Sequence, residues 1–421
     1  MKEQSCFNQQ QAVIEATRCL MCHDAPCQQG CPAKVDVPAF IRNIRTRNFE
    51  EANRTIKQSN VLSGTCAKVC PVNEQCQEKC SQSGLTKPIK IGKLQEFAAS
   101  YEKKAQQLPV ARTGKRVALV GGGPASLACA YELSKAGVEA VILERNELAG
   151  GMLTYGIPNF RLSKDLVHSE ISFVQGCGAS IKTKQTLGKD FSLKDLIKDY
   201  DAVFLGLGAS EPSPTEGKKL EGVAAAVDYL SDFNAGKLTC PKGTVMVVGG
   251  GNTAIDAATA AKALGAQVTI LYRRTEAEMP AWKEEIARAR SMGVNFLFLA
   301  APSGLVGEKS VEAAIVRRME LGEPDESGRR RPVEIAGSDF SMPCSLVIYA
   351  ISQGTPGDLS ELLPGIELTS KRLVKVDESF RTSHPGVFAG GDLVNGGKTV
   401  ARAVFEGKTA ATAIIRALSE G

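Results

Sequence analysis

RVALVGGGPASLACAYELSKAGVEAVILER, residues 116–145, decides the fold. Four apolar residues run into three glycines, then an alanine-rich helical stretch, then a second apolar run closing on Glu144. Strand, glycine turn, helix and strand in that order make a βαβ unit on a parallel sheet. Gly121 suits the tight turn and Gly123 lets backbone approach a pyrophosphate. Pro124 and Ala125 open a helix whose N-terminal amides carry roughly half a positive charge. The third glycine of the pattern is replaced by Ser126, still small enough for close helix–strand packing. Glu144 stands where an acid holds a ribose hydroxyl.

The pattern returns as GTVMVVGGGNTAIDAATAAKALGAQVTILYRR, residues 243–274. Gly249 and Gly251 form the turn, and Asn252, Thr253 and Ala254 open the helix. No acid ends the second strand. Arg273 and Arg274 stand there, and guanidinium groups suit a 2′-phosphate that an acid would repel. This favours NADPH over NADH, the alternative being a solvated strand end. Two dinucleotide sites in one chain suit a resident flavin (FAD) and a diffusible nicotinamide, because hydride chemistry needs a donor and an acceptor face to face. In HPGVFAGGDLVNGGKTVARAVFEGKTAA, residues 384–411, Gly391 and Asp392 follow a strand and a helix starts at Thr399 and Val400. Asp392 is expected to accept from the flavin's ribityl chain, and the helix start to stabilise the reduced ring. The expected fold class is α/β: an N-terminal helical iron–sulfur domain (1–108), then two Rossmann-like nucleotide-binding domains, the second inserted in the first. The FAD domain is expected over 109–238 and 356–421 and the NAD(P) domain over 239–355. QQLPVARTGK, residues 106–115, reads as a linker.

Nine of the thirteen cysteines lie in the first 80 residues. Cys19, Cys22, Cys27 and Cys31 are followed by Pro32; Cys66, Cys70, Cys76 and Cys80 have Pro71 after Cys70. Zinc ribbons use paired knuckles of two cysteines separated by two residues, and the second group has none. Short cysteine runs closing on Cys-Pro fit iron–sulfur binding, where the last cysteine reaches over to another cluster. Cys129, Cys177, Cys240 and Cys344 stand alone and read as small buried hydrophobes; Cys6 has no expected role. Helical spacing of Phe40, Ile41, Ile44, Phe49, Ala52 and Ile56 gives this zone its core. The 51 lysines and arginines against 46 acids leave a net charge of +5, too slight to indicate nucleic acid when aromatics make up only 5%. The first 22 residues hold no apolar core of a signal peptide, and no apolar run reaches the length of a membrane span. A cytoplasmic protein is expected.

Cysteine groups, flavin turn and nicotinamide turn in this order resemble the electron-input module shared by glutamate synthase small subunits and dihydropyrimidine dehydrogenases. The stretches EATRCLMCHDAPCQQGCP, GTCAKVCPVNEQCQEKC, IKIGKLQEF, GGMLTYGIPNFRL and LYRRTEAEMP carry the likeness over nearly the whole chain. The run His23–Cys27 and Gln95 resemble the pyrimidine branch. The resemblance implies FAD and two 4Fe–4S clusters, one on Cys19, Cys22, Cys27 and Cys80, the other on Cys31, Cys70, Cys76 and the amide oxygen of Gln95. An all-cysteine second site using Cys66 is the alternative. Gly151 falls in the implied FAD site and Ala350 in the nicotinamide site, and His23, His168 and His384 are expected to be structural. Ser126 and Ser352 depart from the family pattern. The implied partner carries FMN and further iron–sulfur clusters and reduces uracil or thymine. The pyrimidine branch implies NADH, against the arginine chemistry. No catalytic side chain is expected, since the hydride passes between cofactors. The alternatives are a glutamate synthase small subunit and a non-catalytic sensor binding nucleotide and zinc.

Overall fold

The computed structural model describes residues 6–102, 110–209, 211–212, 220–325, 328–351, 353–354 and 358–420. Ser352 and part of the expected linker lie outside them.

The cysteine-rich zone is built from short helices with side-chain caps. Asn8 and Gln11 exchange hydrogen bonds between side chain and backbone at the start of Gln9–Thr17. Asp36 accepts from Ala39 N ahead of Val37–Arg45, which has Pro38 in its first turn. Arg47, in the left-handed region at φ 62°, separates this helix from Phe49–Lys57. The two bury the expected residues Phe40, Ile41, Ile44, Phe49, Ala52 and Ile56. Phe49 meets Phe97, on helix Ile91–Ala99, at 5.0 Å between ring centres, edge to face.

The first nucleotide-binding sheet has five parallel strands, in the order Val387–Ala389, Ala202–Leu205, Arg116–Val120, Glu139–Glu144, Ser180–Thr183. The first strand in space is the last in sequence, so the chain returns to this sheet as expected. The glycine turn leaves the carboxyl end of the central strand, where ligands bind in open α/β sheets.

Residues 6–154, 160–209 and 358–420 of the described chain form one compact unit; 155–159 and the described residues of 210–354 form the other. The inserted unit therefore begins near residue 210, earlier than the expected 239. Strand Val223–Ala225 pairs in parallel with Leu346–Tyr349, and helix Ala226–Asn234 buries Ala226, Tyr229 and Leu230 against Ala254, Ala257 and Ala258. A segment with no glycine turn of its own is placed by this long-range pairing. Within the unit the parallel order is Val223–Ala225, Leu346–Tyr349, Thr244–Val248, Gln267–Tyr272, Asn295–Phe298. A separate antiparallel sheet of Ala300–Val306, Ala313–Pro324, Arg330–Glu334 and Phe340–Pro343 belongs to the same unit. Among the described residues no helix is long and apolar enough to cross a membrane.

Cys129, Cys177 and Cys344 are buried as expected, but Cys240 is exposed. It precedes Pro241 in the loop before Thr244–Val248, its thiol turned to the Pro241 carbonyl. His23 and His168 are exposed rather than packed, with Asp24 3.3 Å from the His23 ring.

Candidate functional site

At the first turn Gly121 has φ 94°, and a Cβ there would stand 2.5 Å from the Gly206 carbonyl oxygen. Only glycine satisfies both conditions. At Gly123, the residue capping helix Pro124–Lys135, a Cβ would meet nothing within 4 Å. The turn is thus tight behind and open in front, where a pyrophosphate would lie against the helix N-terminus. Gly151 packs over the turn, and Gly150 N donates to Gly122 O at 2.8 Å. Ser126 is buried facing Gly206, where a Cβ would stand 2.2 Å from its hydroxyl. The missing third glycine is therefore matched by a glycine on the opposing strand end.

Glu144 is 4% exposed. One carboxylate oxygen accepts from Gly122 N at 2.7 Å, the other from Asn146 N and Nδ2 at 2.8 Å. A carboxylate offers about four lone-pair directions, so it retains capacity for a ribose hydroxyl.

Asp392 is half-buried at the end of the turn after Val387–Ala389. Burial raises its carboxyl above the usual range, opposed by the Lys398 N–H and reinforced by Glu406. Glu406 escapes a reading of the sequence. It is 1% exposed, on the long helix Val400–Glu420, and accepts from Gly391 N at 2.7 Å and Asn395 Nδ2 at 3.0 Å, while Arg402 Nε donates to its other oxygen at 2.7 Å. Thr399 O accepts from Ala403 N at 3.1 Å as that helix begins. Gly407, the residue after Glu406, would place a Cβ 2.0 Å from Ala125 O. This contact packs the start of helix Pro124–Lys135 against helix Val400–Glu420, about two turns beyond the latter's start.

The second turn repeats the plan. Gly249 sits against Ala350, its Cβ position 2.4 Å from the Ala350 carbonyl oxygen, and Gly251 is open. Asn252 Oδ1 accepts from Trp282 N at 3.1 Å; Thr253 is half-buried and Ala254 fully buried. The structure divides the arginine pair. Arg273 is exposed. Arg274 is 5% exposed, with Nη2 2.7 Å from Asp325 Oδ2 and Nε donating to Arg330 O at 2.7 Å. The expectation that both reach a phosphate is corrected in this respect: Arg274 is committed to the antiparallel sheet.

The cysteines sort into two neighbourhoods by the charges each thiol feels. Cys19 feels Cys80 and Cys22, and Cys27 feels Cys80 and Cys19. Cys31 feels Cys66; Cys70 feels Cys66, Cys31 and Cys76. Cys76 feels Cys31 first and Cys27 second, so the neighbourhoods adjoin. Gly30 makes the exchange possible, since a Cβ there would stand 2.9 Å from Gln75 O. Burial pushes the Cys27 and Cys76 thiols up to about 12; Cys70 is raised first by its hydrogen bond with Cys66, then by burial. Met21 and Lys34 take left-handed φ values of 52° and 58°, rare for residues with a Cβ. Met21 N–H then serves Cys19, and the amides of Val35, Ala33 and Lys34 serve Cys31. Half-buried and buried thiols served by backbone N–H groups are a donor set suited to iron–sulfur clusters, whose potentials respond to such bonds. Among the described residues no three His, Cys, Asp or Glu side chains close on a single metal ion.

Gln95 lies half-buried on helix Ile91–Ala99. Its Nε2 donates to Ser63 O at 2.7 Å, at the start of the helix Ser63–Val69 that carries Cys66. Its amide oxygen remains as the atom able to act as a ligand.

Fold and site together define an FAD- and NAD(P)-dependent oxidoreductase with a 4Fe–4S domain. The chain belongs to the pyridine nucleotide-disulphide oxidoreductase family, whose model matches residues 115–407; the dihydropyrimidine dehydrogenase domain II, 4Fe–4S cluster model matches residues 1–107. It is 39% identical to the NADP(+)-dependent formate dehydrogenase subunit beta of Moorella thermoacetica, over 94% of this chain but only 60% of that protein. It is 35% identical to the glutamate synthase (NADPH) small chain of Escherichia coli K12, covering 97% of this chain and 92% of the relative. It is also 35% identical to the NAD-dependent dihydropyrimidine dehydrogenase subunit PreT of the same strain, covering 96% and 93%. FprA of Mycobacterium tuberculosis in complex with NADPH shares the fold, with a TM-score of 0.62 at 20% identity over 73% of this chain and 85% of that one. The expected α/β fold, the FAD and NAD(P) chemistry and the 4Fe–4S chemistry are borne out. The two branches of the resemblance are matched at equal identity, so the likeness does not single out the pyrimidine branch.

Proposed function

We propose that this chain is the electron-input subunit of a cytoplasmic heteromeric reductase. It oxidises NAD(P)H at FAD and delivers electrons through two 4Fe–4S clusters to a partner subunit. That partner carries FMN and further iron–sulfur clusters and reduces uracil or thymine to the 5,6-dihydro form. The observation that carries the reading is Gln95, whose amide nitrogen donates to Ser63 O at 2.7 Å, at the start of the helix that ends at Cys70, so that its oxygen is the atom offered as a ligand.

When bound, FAD and the clusters supply the conversion of a hydride into single electrons. The chain's own residues hold and orient. Gly121, Gly123 and Pro124 offer the first pyrophosphate a turn and a helix start, and Glu144 takes the ribose. Gly391, fixed by Glu406, and Asp392 hold the ribityl chain, and the Thr399–Val400 start supplies a positive end to the reduced ring. Gly249, Gly251, Asn252, Thr253 and Ala254 receive the nicotinamide dinucleotide, with Ala350 behind the turn. Exposed Arg273 makes NADPH the favoured donor, with NADH the alternative. Cys19, Cys22, Cys27 and Cys80 hold one cluster; Cys31, Cys70, Cys76 and Gln95 hold the other.

The test is reconstitution with the partner subunit and assay of NAD(P)H-dependent uracil reduction against glutamate formation from 2-oxoglutarate and glutamine. Uracil reduction, with about eight iron atoms per chain, is expected. Glutamate formation would replace this reading with a glutamate synthase small subunit, a branch matched at the same 35% identity as the dihydropyrimidine dehydrogenase subunit. A colourless, zinc-bearing chain that does not oxidise NAD(P)H would replace it with a nucleotide-binding sensor.

A further inference from the structure

We propose that Glu170 is a positioning residue for the second iron–sulfur cluster: its buried carboxylate, bonded to the start of the helix that carries Cys66 and leads into Cys70, lowers that cluster's potential and takes up a proton when the cluster is reduced. The inference rests on the reading that Cys31, Cys70, Cys76 and Gln95 hold a cluster.

Glu170 belongs to the helix Lys164–Gly176 of the FAD-binding part, yet its partners are 105 and 106 residues earlier. Its Oε1 accepts from Gly64 N at 2.7 Å, and the Thr65 hydroxyl and Thr65 N donate to Oε2. The residue is 1% exposed. Gly64 is required for the approach: a Cβ there would stand 2.8 Å from Leu166 Cδ1 and 3.4 Å from Glu170 Oε1. The same turn presents Ser63 O to Gln95 Nε2. One short helix is thus gripped at its start by a carboxylate and by the proposed amide ligand, and it ends at Cys70.

The ionic surroundings explain why this carboxylate is poised. Buried Lys57 pairs with Glu102 and lies 3.4 Å from the centre of the Phe173 ring, one turn along Glu170's own helix. Lys57 favours the ionised carboxylate and Glu102 opposes it. From the other packed helices, Glu132 and Lys135 pair at 2.9 Å beside Tyr131, and Lys408 Nζ donates to Gln58 O at 2.7 Å. Burial outweighs the Thr65, Lys57 and Gly64 contributions and pushes Glu170 up to about 7. An added negative charge on a neighbouring cluster raises it further. Reduction then adds one electron to the cluster and one solvent proton to the Glu170 carboxylate; no other bond changes.

The experiment is a potentiometric titration of the holoprotein followed by electron paramagnetic resonance, repeated from about pH 5.5 to about pH 9. In the wild type one cluster's potential is expected to fall with rising pH around neutrality and level off at both ends. Glu170→Gln, neutral throughout, is expected to hold a constant, higher potential. Thr65→Val loses a donor to the ionised form, so its pH-dependent segment moves upward; this milder variant keeps the test available if Glu170→Gln does not fold. Equal, pH-independent potentials in wild type and Glu170→Gln, with both clusters present, would overturn the inference. A wild type showing only one cluster would overturn the ligand assignment beneath it, and its iron content identifies that separate failure.

Discussion

Arg273 and Arg274 are chemically identical neighbours with different fates. They follow strand Gln267–Tyr272, and successive residues of an extended chain face opposite ways. Arg274 turns inward to Asp325 and Arg273 stays outside. Arg273→Ala is expected to raise KM for NADPH about tenfold, a loss of roughly 1.4 kcal/mol, with little effect on NADH. Steady-state reduction of an artificial acceptor measures both. Arg274→Ala should cost about 2 kcal/mol of stability instead, since it removes hydrogen bonds to a charged group; a thermal melt reads it. Glu406→Leu leaves Gly391 N without its partner. The variant should purify with a lower ratio of flavin to protein absorbance than wild type. Glu144 was legible in sequence because it ends a strand at a defined offset from the turn. Glu406 was not, because it sits among alanines on a helix and its partner is fifteen residues away.

The glycine turns show what an element can announce about itself. Both strand–turn–helix units follow from local periodicity and from steric rules for glycine, and both appear where expected. The contact between helices Pro124–Lys135 and Val400–Glu420 is of another kind. It depends on Gly407 meeting Ala125 O, and neither stretch signals the other. Gly407→Leu should destabilise the FAD-binding part by about 1–3 kcal/mol through overpacking, with loss of bound flavin detected by gel filtration of the holoprotein. Gly30 plays the same part between the two cysteine segments. Gly30→Val should therefore lower the iron content while leaving flavin unchanged, as measured by metal analysis and visible absorbance.

At the scale of the molecule, Glu170 makes stability depend on pH. Its carboxyl is raised from 4.5 to about 7 in the fold. Between those values the folded chain holds a proton that the unfolded chain has lost, so this group's contribution to stability falls as pH rises through the window. The full change is of order 3 kcal/mol. The melting temperature of Glu170→Gln relative to wild type should thus move in the variant's favour from about pH 4.5 to about pH 7, and then hold level. A difference that does not change with pH would remove the linkage. The sequence by itself determined the two dinucleotide turns, the return of the chain to its first sheet and the iron–sulfur character of the cysteine zone. Each depends on spacing and residue type over a few tens of positions. Only the tertiary structure decided that Val223–Ala225 joins the second sheet, that Arg274 is spent on Asp325, that Gly30 lets one cysteine segment approach the other at Gln75, and that Glu170 grips the helix of Cys66. These rest on close approaches between distant segments, which come about only when the whole chain packs and leave no periodic trace in either segment alone.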